Sequence, residues 1–350
     1  MPKRITIKDI ADRAGVSTGT VDRILHNRGN VSKRSRAAVE KVLADSDYSS
    51  GTFNEAIKPC VLAVVAPTST TGDYWSSVYG GISLAVKEFF HPGIKVEYFR
   101  YNQFDVYSCL SVQNEMLRQH PDAVIIGPTF MEEAQSFCAS LDQAGIPYIF
   151  VDSFFENASP LASFFTDQIS GGRAVAHLIS AFTESGGELA VFESPRSGAR
   201  LSNNSRFRLD GFREYLKSTG REKDLVGIRY ISTFPEENEK TLKELLASHE
   251  KLRGIAVLNS RGSAIAESLE KLGGQGIKVV SFDLTKSNIE CLRKGTIDAL
   301  VCQHPSRQGY QAAHTLLHYL VHNTKPDSKQ YIMPINIVLK ETVDNYVEYD

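Results

Sequence analysis

From Cys60 to Gln303 the chain alternates short apolar runs with longer amphipathic stretches. No other feature restricts its fold as strongly. The runs are CVLAVVAP (60–67), KVEYFRY (95–101), AVIIGP (123–128), YIFVD (148–152), ELAVFES (188–194), GIRYIS (227–232), GIAVLN (254–259), KVVSFD (278–283) and DALVCQ (298–303). Near-continuous apolar runs suit parallel strands buried on both faces. Strands that alternate with helices, such as SVYGGISLAVKEFF and QISGGRAVAHLISAF, build an α/β doubly wound sheet. Nine strands are too many for one compact sheet, so the pattern predicts two parallel-sheet lobes over 60–350. Lobe 1 is expected at about 60–165 and 303–328, and lobe 2 at about 168–300 and 330–350. At 350 residues, two or three domains are expected in all.

The net charge of −2 hides a split. Residues 1–58 hold 11 Lys/Arg against 7 Asp/Glu, a balance of +4, and the rest of the chain stands at −6. A basic head on an acidic body points to a polyanionic partner for the head. Three helix starts fall within that head. Thr6-Ile7-Lys8-Asp9 approaches a capping box, with Ile7, Ile10, Ala11 and Ala14 at helical spacing. Gly15 breaks this helix. Ser17 caps a second, with Val21, Ile24 and Leu25 inward. Ser32 caps a third, with Ala37, Val39, Val42 and Leu43 as its apolar positions. Two short helices joined by Ala-Gly-Val form an all-α helix-turn-helix, whose second helix lies in a major groove.

Thr18, Gly19, Asp22 and Arg23 occupy the outer side of that second helix, and short Thr18 and Thr20 let it come close to DNA. Arg23 suits a bidentate contact to guanine. Asp22 either accepts from a cytosine amino group or orients Arg23. Thr6, Ser17 and Ser32 offer hydroxyls and helix-terminal N–H groups to phosphates, and Arg28, Lys33, Arg34 and Arg36 add sequence-blind attraction. The alternative is a small three-helix bundle with a solvated basic face.

The run TIKDIADRAGVSTGTVDRILHNRGNVSKRSRAAVEKVLADSDY (6–48) resembles, without a gap, the N-terminal domain of the LacI/GalR family of bacterial transcription regulators. The resemblance implies phosphate contacts at Thr6, Ser17, Thr20, Asn27, Ser32 and Arg36, and base reading at Thr18, Gly19 and Arg23. Asp22 departs from the family's usual Ser. Residues 1–48 are thus expected to be the DNA-binding domain and 49–59 a hinge or linker. In that hinge Ser50, Gly51, Asn54 and Ile57 replace the usual Pro, Asn, Ala and Leu. The segment 49–58 is expected to order only on DNA, with Ile57 as a minor-groove wedge.

Ligands of doubly wound sheets bind beyond the carboxyl ends of the strands. Polar and aromatic residues gather there in the body: Tyr74 and Trp75 in a loop after the first strand, Asp152, Asn259, Asp283 and Gln303 at strand ends, and Arg208 at the start of a helix. Rings stack on the C–H faces of a sugar, and the polar groups satisfy its hydroxyls. Each residue alone is as readily structural, since an Asp closing a strand often caps the next helix. Five such polar positions of complementary chemistry, four at strand ends and one at a helix start, favour a sugar site. Segment 60–345 resembles the type I periplasmic-binding-protein fold that the LacI/GalR family carries, of the ribose-binding type. The resemblance rests on YWSSVYGGI, VDS, TDQISGG, RFRLDGF, VLNS, SFDLT and VCQHPSRQG. It implies that Tyr74 and Trp75 stack on the ligand and that Asp152, Arg208, Asn259, Asp283 and Gln303 hydrogen-bond it. It also implies that Asp167 sits near the interlobe crossing and that Phe234 adds a further ring. Ser153 and Gly127 stand where sugar binders often carry an Arg and a polar residue. With Arg208 as the one pocket cation, a neutral sugar is expected.

Five scattered cysteines without a CxxC pair argue against disulfides and zinc knuckles. The start MPKRITIKDIADRAG carries charges where a signal peptide needs an apolar stretch, and no apolar run approaches a membrane span. The expectation is a cytoplasmic protein with no membrane partner. There is no phosphate loop, no GxGxxG after a strand, no GxSxG and no HExxH, so no cofactor, no metal and no catalytic residue are expected. The stripe His314, His318, His322 reads as a solvated helix face. The reading is a transcription regulator, a repressor, acting as a homodimer on a pseudo-palindromic operator under control of a small effector, a sugar. The alternatives are a periplasmic-type sugar-binding protein and an α/β sugar-processing enzyme using Asp152 and Asp283 as acid and base.

Overall fold

The structure, a computed structural model, describes residues 6–25, 31–44, 59–89, 93–194 and 203–347. Its contacts divide the chain into Met1–Lys58 and Pro59–Asp350.

Among the described residues the first unit holds three helices, α1 (Ile7–Ala14), α2 (Thr18–Leu25) and α3 (Lys33–Ala44). The sequence writes their ends. Thr6 and Asp9 form the full capping box: the Thr6 hydroxyl accepts from the Asp9 N–H, and the Asp9 carboxylate accepts from the Thr6 N–H at 2.7 Å. Gly15 closes α1 in the left-handed region (φ 65), which an L side chain enters only at a cost. Ile10, Ala11, Val21, Ile24 and Val39 form the core. One expected core position differs: Ala37 is exposed, because α3 turns Val39 and Val42 inward instead. The hinge reading at 49–58 lies outside the described residues.

The second unit carries β1 (Cys60–Pro67), α4 (Tyr74–Phe89), β2 (Ile94–Tyr101), α5 (Val106–Gln119), β3 (Ala123–Ile126), α6 (Met131–Ala144), β4 (Tyr148–Asp152) and β5 (Ala162–Thr166). There follow α7 (Gln168–Phe182), β6 (Glu188–Glu193), α8 (Asn203–Ser218), β7 (Leu225–Tyr230), α9 (Pro235–Ser248), β8 (Leu252–Val257), α10 (Gly262–Lys271) and β9 (Lys278–Phe282). The chain ends with α11 (Lys286–Lys294), β10 (Ala299–Cys302), α12 (Pro305–His322), β11 (Gln330–Met333), β12 (Asn336–Val338) and α13 (Val343–Val347). Two six-stranded sheets result, ordered β11-β5-β4-β3-β1-β2 and β12-β10-β9-β8-β6-β7. Every pairing is parallel except β10 with β12. All nine strands read from the sequence are present. Three others were not read: β5, β11 and β12.

One expected boundary moves. Residues 330–333 pair with β5 in the first sheet, so this strand belongs to the first lobe, and the last crossing lies between Met333 and Asn336. The other two crossings run from β5 to α7 and from β10 to α12. In each lobe two helices touch backbone to backbone. A Cβ on Gly81 of α4 would lie 1.9 Å from the Ser306 carbonyl oxygen of α12. A Cβ on Gly172 of α7 would lie 1.9 Å from the carbonyl oxygen of Arg208 in α8. These glycines set how closely the helices that frame the interlobe cleft approach one another.

Candidate functional site

In the first unit, α2 buries Val21 and Ile24 and exposes Thr18, Gly19 and Arg23. Thr20 and Asp22 are half-buried. Among the described residues, what an added Cβ on Gly19 would meet within 4 Å is the Ser17 hydroxyl at 3.9 Å, so the backbone itself can approach a surface. Ser17 accepts from the Thr20 N–H at 3.1 Å, and Ser32 accepts from the Ser35 N–H at 3.1 Å. The Thr6, Ser17 and Ser32 hydroxyls are therefore helix caps. Arg36 is half-buried on α3, and Arg34 is exposed. Asn27 and Ile57 lie outside the described residues.

In the second unit, the seven residues singled out by sequence, Tyr74, Trp75, Asp152, Arg208, Asn259, Asp283 and Gln303, all line one cavity of about 430 Å³ between the two sheets. That volume falls within the span of small-molecule sites, about 300–1,000 Å³. Tyr74 and Trp75 are the first two residues of α4 and not, as expected, part of a loop. Their rings meet edge to face, with centroids 5.5 Å apart. Gly127 acquires its reason here: a Cβ there would lie 2.4 Å from the Trp75 ring, so glycine lets the indole lie against the end of β3. Phe234 is 59% exposed and does not line the cavity, whereas Phe104, from the loop after β2, does.

The deepest part is a closed hydrogen-bond network. Arg208 donates from Nε to Gln168 Oε1 (2.6 Å), from Nη1 to the Leu258 carbonyl (2.9 Å) and from Nη2 to Gln303 Oε1 (2.7 Å). Its guanidinium stacks 3.9 Å above the centroid of Phe282. Gln303 donates from Nε2 to both Asp283 oxygens at 3.0 Å. Asp152 accepts from the Tyr74 hydroxyl at 2.5 Å and from the Asn204 amide at 2.9 Å. Gln308 takes the Asp152 N–H and donates to the Gln303 carbonyl. The Asn204 bond ties α8 to the end of β4 in the other lobe, and the bond from Gln168 Nε2 to Gln303 Oε1 (3.2 Å) ties two of the crossings together. Asp152 (φ 72) and Asp283 (φ 67) both hold left-handed backbone, at the carboxyl ends of β4 and β9. That conformation is costly for a non-glycine residue and recurs at binding sites.

Burial pushes the Asp283 carboxyl up to about 7, with Arg208 and Gln303 pulling it back. Burial lowers the Arg208 pKa, and Asp283 and Asp152 oppose that. Among the described residues Arg208 engages three of its five N–H donors, all with neutral acceptors. A ligand hydroxyl would therefore find both donors and acceptors here, as a polyol requires. Sequence reasoning missed Gln168, Asn204, Gln308, Phe104, Arg261 and Lys286. Gln168 lay within the quoted TDQISGG, and Arg261 lies two residues beyond Asn259. Distance from a strand end was the signal that could have found Arg261 and Lys286.

Glu193, at the end of β6, is fully buried, and neither carboxyl oxygen has a hydrogen-bond partner among the described residues. Burial pushes it up to about 7, against the pull of Arg213 and Arg208. Its folded pKa exceeds its unfolded one, so the fold favours the protonated form and loses stability as pH rises from about 4.5 to about 7. Glu193→Gln should therefore stabilise the protein more at pH 8 than at pH 5, by roughly 2–3 kcal/mol in urea unfolding. Equal effects at both pH values would contradict this.

No group of three or more His, Cys, Asp or Glu among the described residues is placed to hold a metal ion. Of the histidine stripe, His314 and His322 are exposed, while His318 packs edge-on against Phe89 at 5.4 Å. No helix among the described residues is long and apolar enough to cross a membrane.

Two family profiles match the chain. Bacterial regulatory proteins of the lacI family match residues 6–50, and the periplasmic binding protein domain matches residues 62–324. The lactose operon repressor of Escherichia coli (strain K12) is 24% identical over 217 residues, 61% of this chain but only 57% of that repressor's length. The ribose operon repressor of Halalkalibacterium halodurans is 22% identical over 361 residues, 96% of each chain. Among solved structures, a candidate LacI transcriptional regulator from Bacteroides fragilis superposes with a TM-score of 0.77 at 26% identity, over 83% of this chain and 100% of that one.

Proposed function

The chain belongs to the lacI family of bacterial regulatory proteins, with a periplasmic binding protein domain as its body, and from this we propose that it is a cytoplasmic transcription repressor whose operator affinity is set by a small sugar effector. The observation that carries the reading is the convergence of seven strand-end and helix-start residues on one interlobe cavity, in a chain that also bears an exposed helix-turn-helix face. The lactose and ribose operon repressors it resembles support the same reading. One head reads one half-site, so the working unit is a homodimer on a pseudo-palindrome. The head contacts phosphates through Thr6, Ser17, Thr20, Asn27, Ser32 and Arg36 and reads bases through Thr18, Gly19, Asp22 and Arg23, with Ile57 at the minor groove. The body binds its effector through Tyr74, Trp75, Asp152, Arg208, Asn259, Asp283 and Gln303. The effector acts only through its different affinities for the DNA-competent and DNA-released states. No catalytic step is assigned to the cavity.

The test starts from DNA. Selection of duplexes from a random pool should enrich a two-fold-symmetric sequence. On it, Arg23→Ala should lose about 1–3 kcal/mol of discrimination at one base pair per half-site. Arg34→Ala, on the exposed face of α3, should weaken selected and random duplexes alike and lower the salt slope by about one. No enriched sequence would contradict the reading. Equal losses on both duplexes for Arg23→Ala would remove its base-reading role.

A further inference from the structure

We infer that the effector is a sugar bearing an anionic group, a carboxylate or a phosphate, which Arg261 and Lys286 receive at the outer end of the cavity; this rests on the sugar-effector reading above. The cations that line the cavity grade outward. Arg208 is buried, Arg261 half-buried and Lys286 exposed. Arg208 has Asp283 and Asp152 within electrostatic reach, and these hold its charge. Among the described residues no acid bears on Arg261 in this way. It donates from Nη1 to the Ser194 hydroxyl (3.3 Å) and the Ile231 carbonyl (3.5 Å), and from Nη2 to the Ser232 carbonyl (2.7 Å). All three acceptors are neutral. Its Nε–H and one Nη2–H have no partner among the described residues, and burial alone moves its pKa, downward.

The carboxylates that line the cavity accept hydrogen bonds from neutral donors. Asp73 accepts from the Thr70 N–H (2.6 Å) and the Ser76 N–H (2.8 Å), while Asp152 and Asp283 are held by Tyr74, Asn204 and Gln303. Arg261 and Lys286 thus meet the cavity with no ion pair among the described residues. A desolvated guanidinium without an anion is costly unless the ligand supplies one. Its planar fork suits both carboxylate and phosphate oxygens. The Lys286 N–H is fixed by the Gly72 carbonyl of the other lobe (2.9 Å), and the Arg261 guanidinium lies 5.9 Å from the Phe104 centroid across the cleft. Both cations therefore stand where the lobes meet, so an anion bound there also bears on closure. The expectation of a neutral sugar counted Arg208 as the one pocket cation, and the structure adds these two.

Matched pairs of probes test this: D-galactose with D-galacturonate, D-glucose with D-glucuronate and D-glucose 6-phosphate, and D-ribose with D-ribose 5-phosphate. Thermal shift and Trp75 fluorescence of the intact protein give the affinities, Trp75 being the sole tryptophan and a cavity residue. At least one anionic probe should bind tenfold or more tightly than its neutral partner, and the uronate and phosphate arms separate the two sources of charge. Arg261→Gln should cut that preference at least tenfold. Lys286→Ala, at an exposed position and retaining the Cβ that meets Gly72, should cut it severalfold without threatening the fold. A neutral sugar binding as tightly as its anionic partners, or a preference unchanged in both variants, would overturn the inference and leave the sugar reading standing. Binding by no member of either arm at millimolar concentration would overturn the sugar reading and the inference with it.

Discussion

Arg208→Ala should lower effector affinity at least a hundredfold and abolish the effect of ligand on DNA binding. The guanidinium serves Gln168, Gln303 and the Leu258 carbonyl at once and stacks on Phe282, so its loss strands the buried Gln168 and Leu258 oxygens and leaves Gln303 Oε1 to Thr166 and Gln168. It also removes the cation that opposes the desolvation of Asp283. Truncating one partner in a desolvated polar cluster costs about 2–5 kcal/mol, which is the size of the predicted loss. Arg208→Lys keeps the charge, but a single ammonium cannot reach three acceptors arranged around a planar fork, so it should recover little. Asp283→Ala should act in the same direction. Asp283 also holds left-handed backbone, φ 67, which alanine adopts at a cost. Trp75 fluorescence titrated with the ligand reports all three variants, and a full-affinity Arg208→Ala protein would remove Arg208 from the site.

The second large effect separates two adjacent glycines of α4. Gly81→Ala should destabilise the body by about 3 kcal/mol, because the added Cβ would lie 1.9 Å from the Ser306 carbonyl oxygen and 2.8 Å from the Tyr310 nitrogen. Both are backbone atoms of α12, so neither can turn aside, and α12 would have to shift as a body. Gly80→Ala meets nothing within 4 Å. On an exposed helical position it should stabilise by about 0.5–1 kcal/mol, through the lower backbone entropy of alanine in the unfolded chain. Urea unfolding of the two variants side by side should give opposite signs. Equal signs would show that α4 and α12 do not pack through their backbones. Because α4 carries Tyr74 and Trp75 on its first turn, Gly81→Ala should also weaken ligand binding.

The parts of this molecule that were legible in its sequence are those where one physical requirement dominates. A central parallel strand is covered on both faces and must be apolar throughout, so β1, β3, β4 and β8 announced themselves. At the edge of its sheet, β11 is mostly exposed and reads QYIM, and β12 is three residues long. Neither needs a continuous apolar run, and neither was found. Although β5 is fully buried, Ser163 and Thr166 interrupt its pattern, Thr166 because it bonds Gln303 at the crossing. The head was legible through its caps, since Thr6, Ser17 and Ser32 each satisfy an N–H that helix geometry leaves open. In the cavity, residues at strand ends could be placed by topology alone. Phe104, Asn204, Arg261 and Lys286 come from loops and helix starts, where periodicity carries no information. The ring at 104 was therefore missed, and Phe234 stood in its place.

Coupling between cavity and head is the central claim, and one titration tests it. The affinity of the intact protein for its selected duplex is measured at one fixed salt concentration, with the cavity empty and then saturated, saturation being read from Trp75. The account predicts a change of at least fivefold in that affinity, which corresponds to about 1 kcal/mol of coupling, and its disappearance in Arg208→Ala. An unchanged affinity while Trp75 reports a full cavity would contradict it.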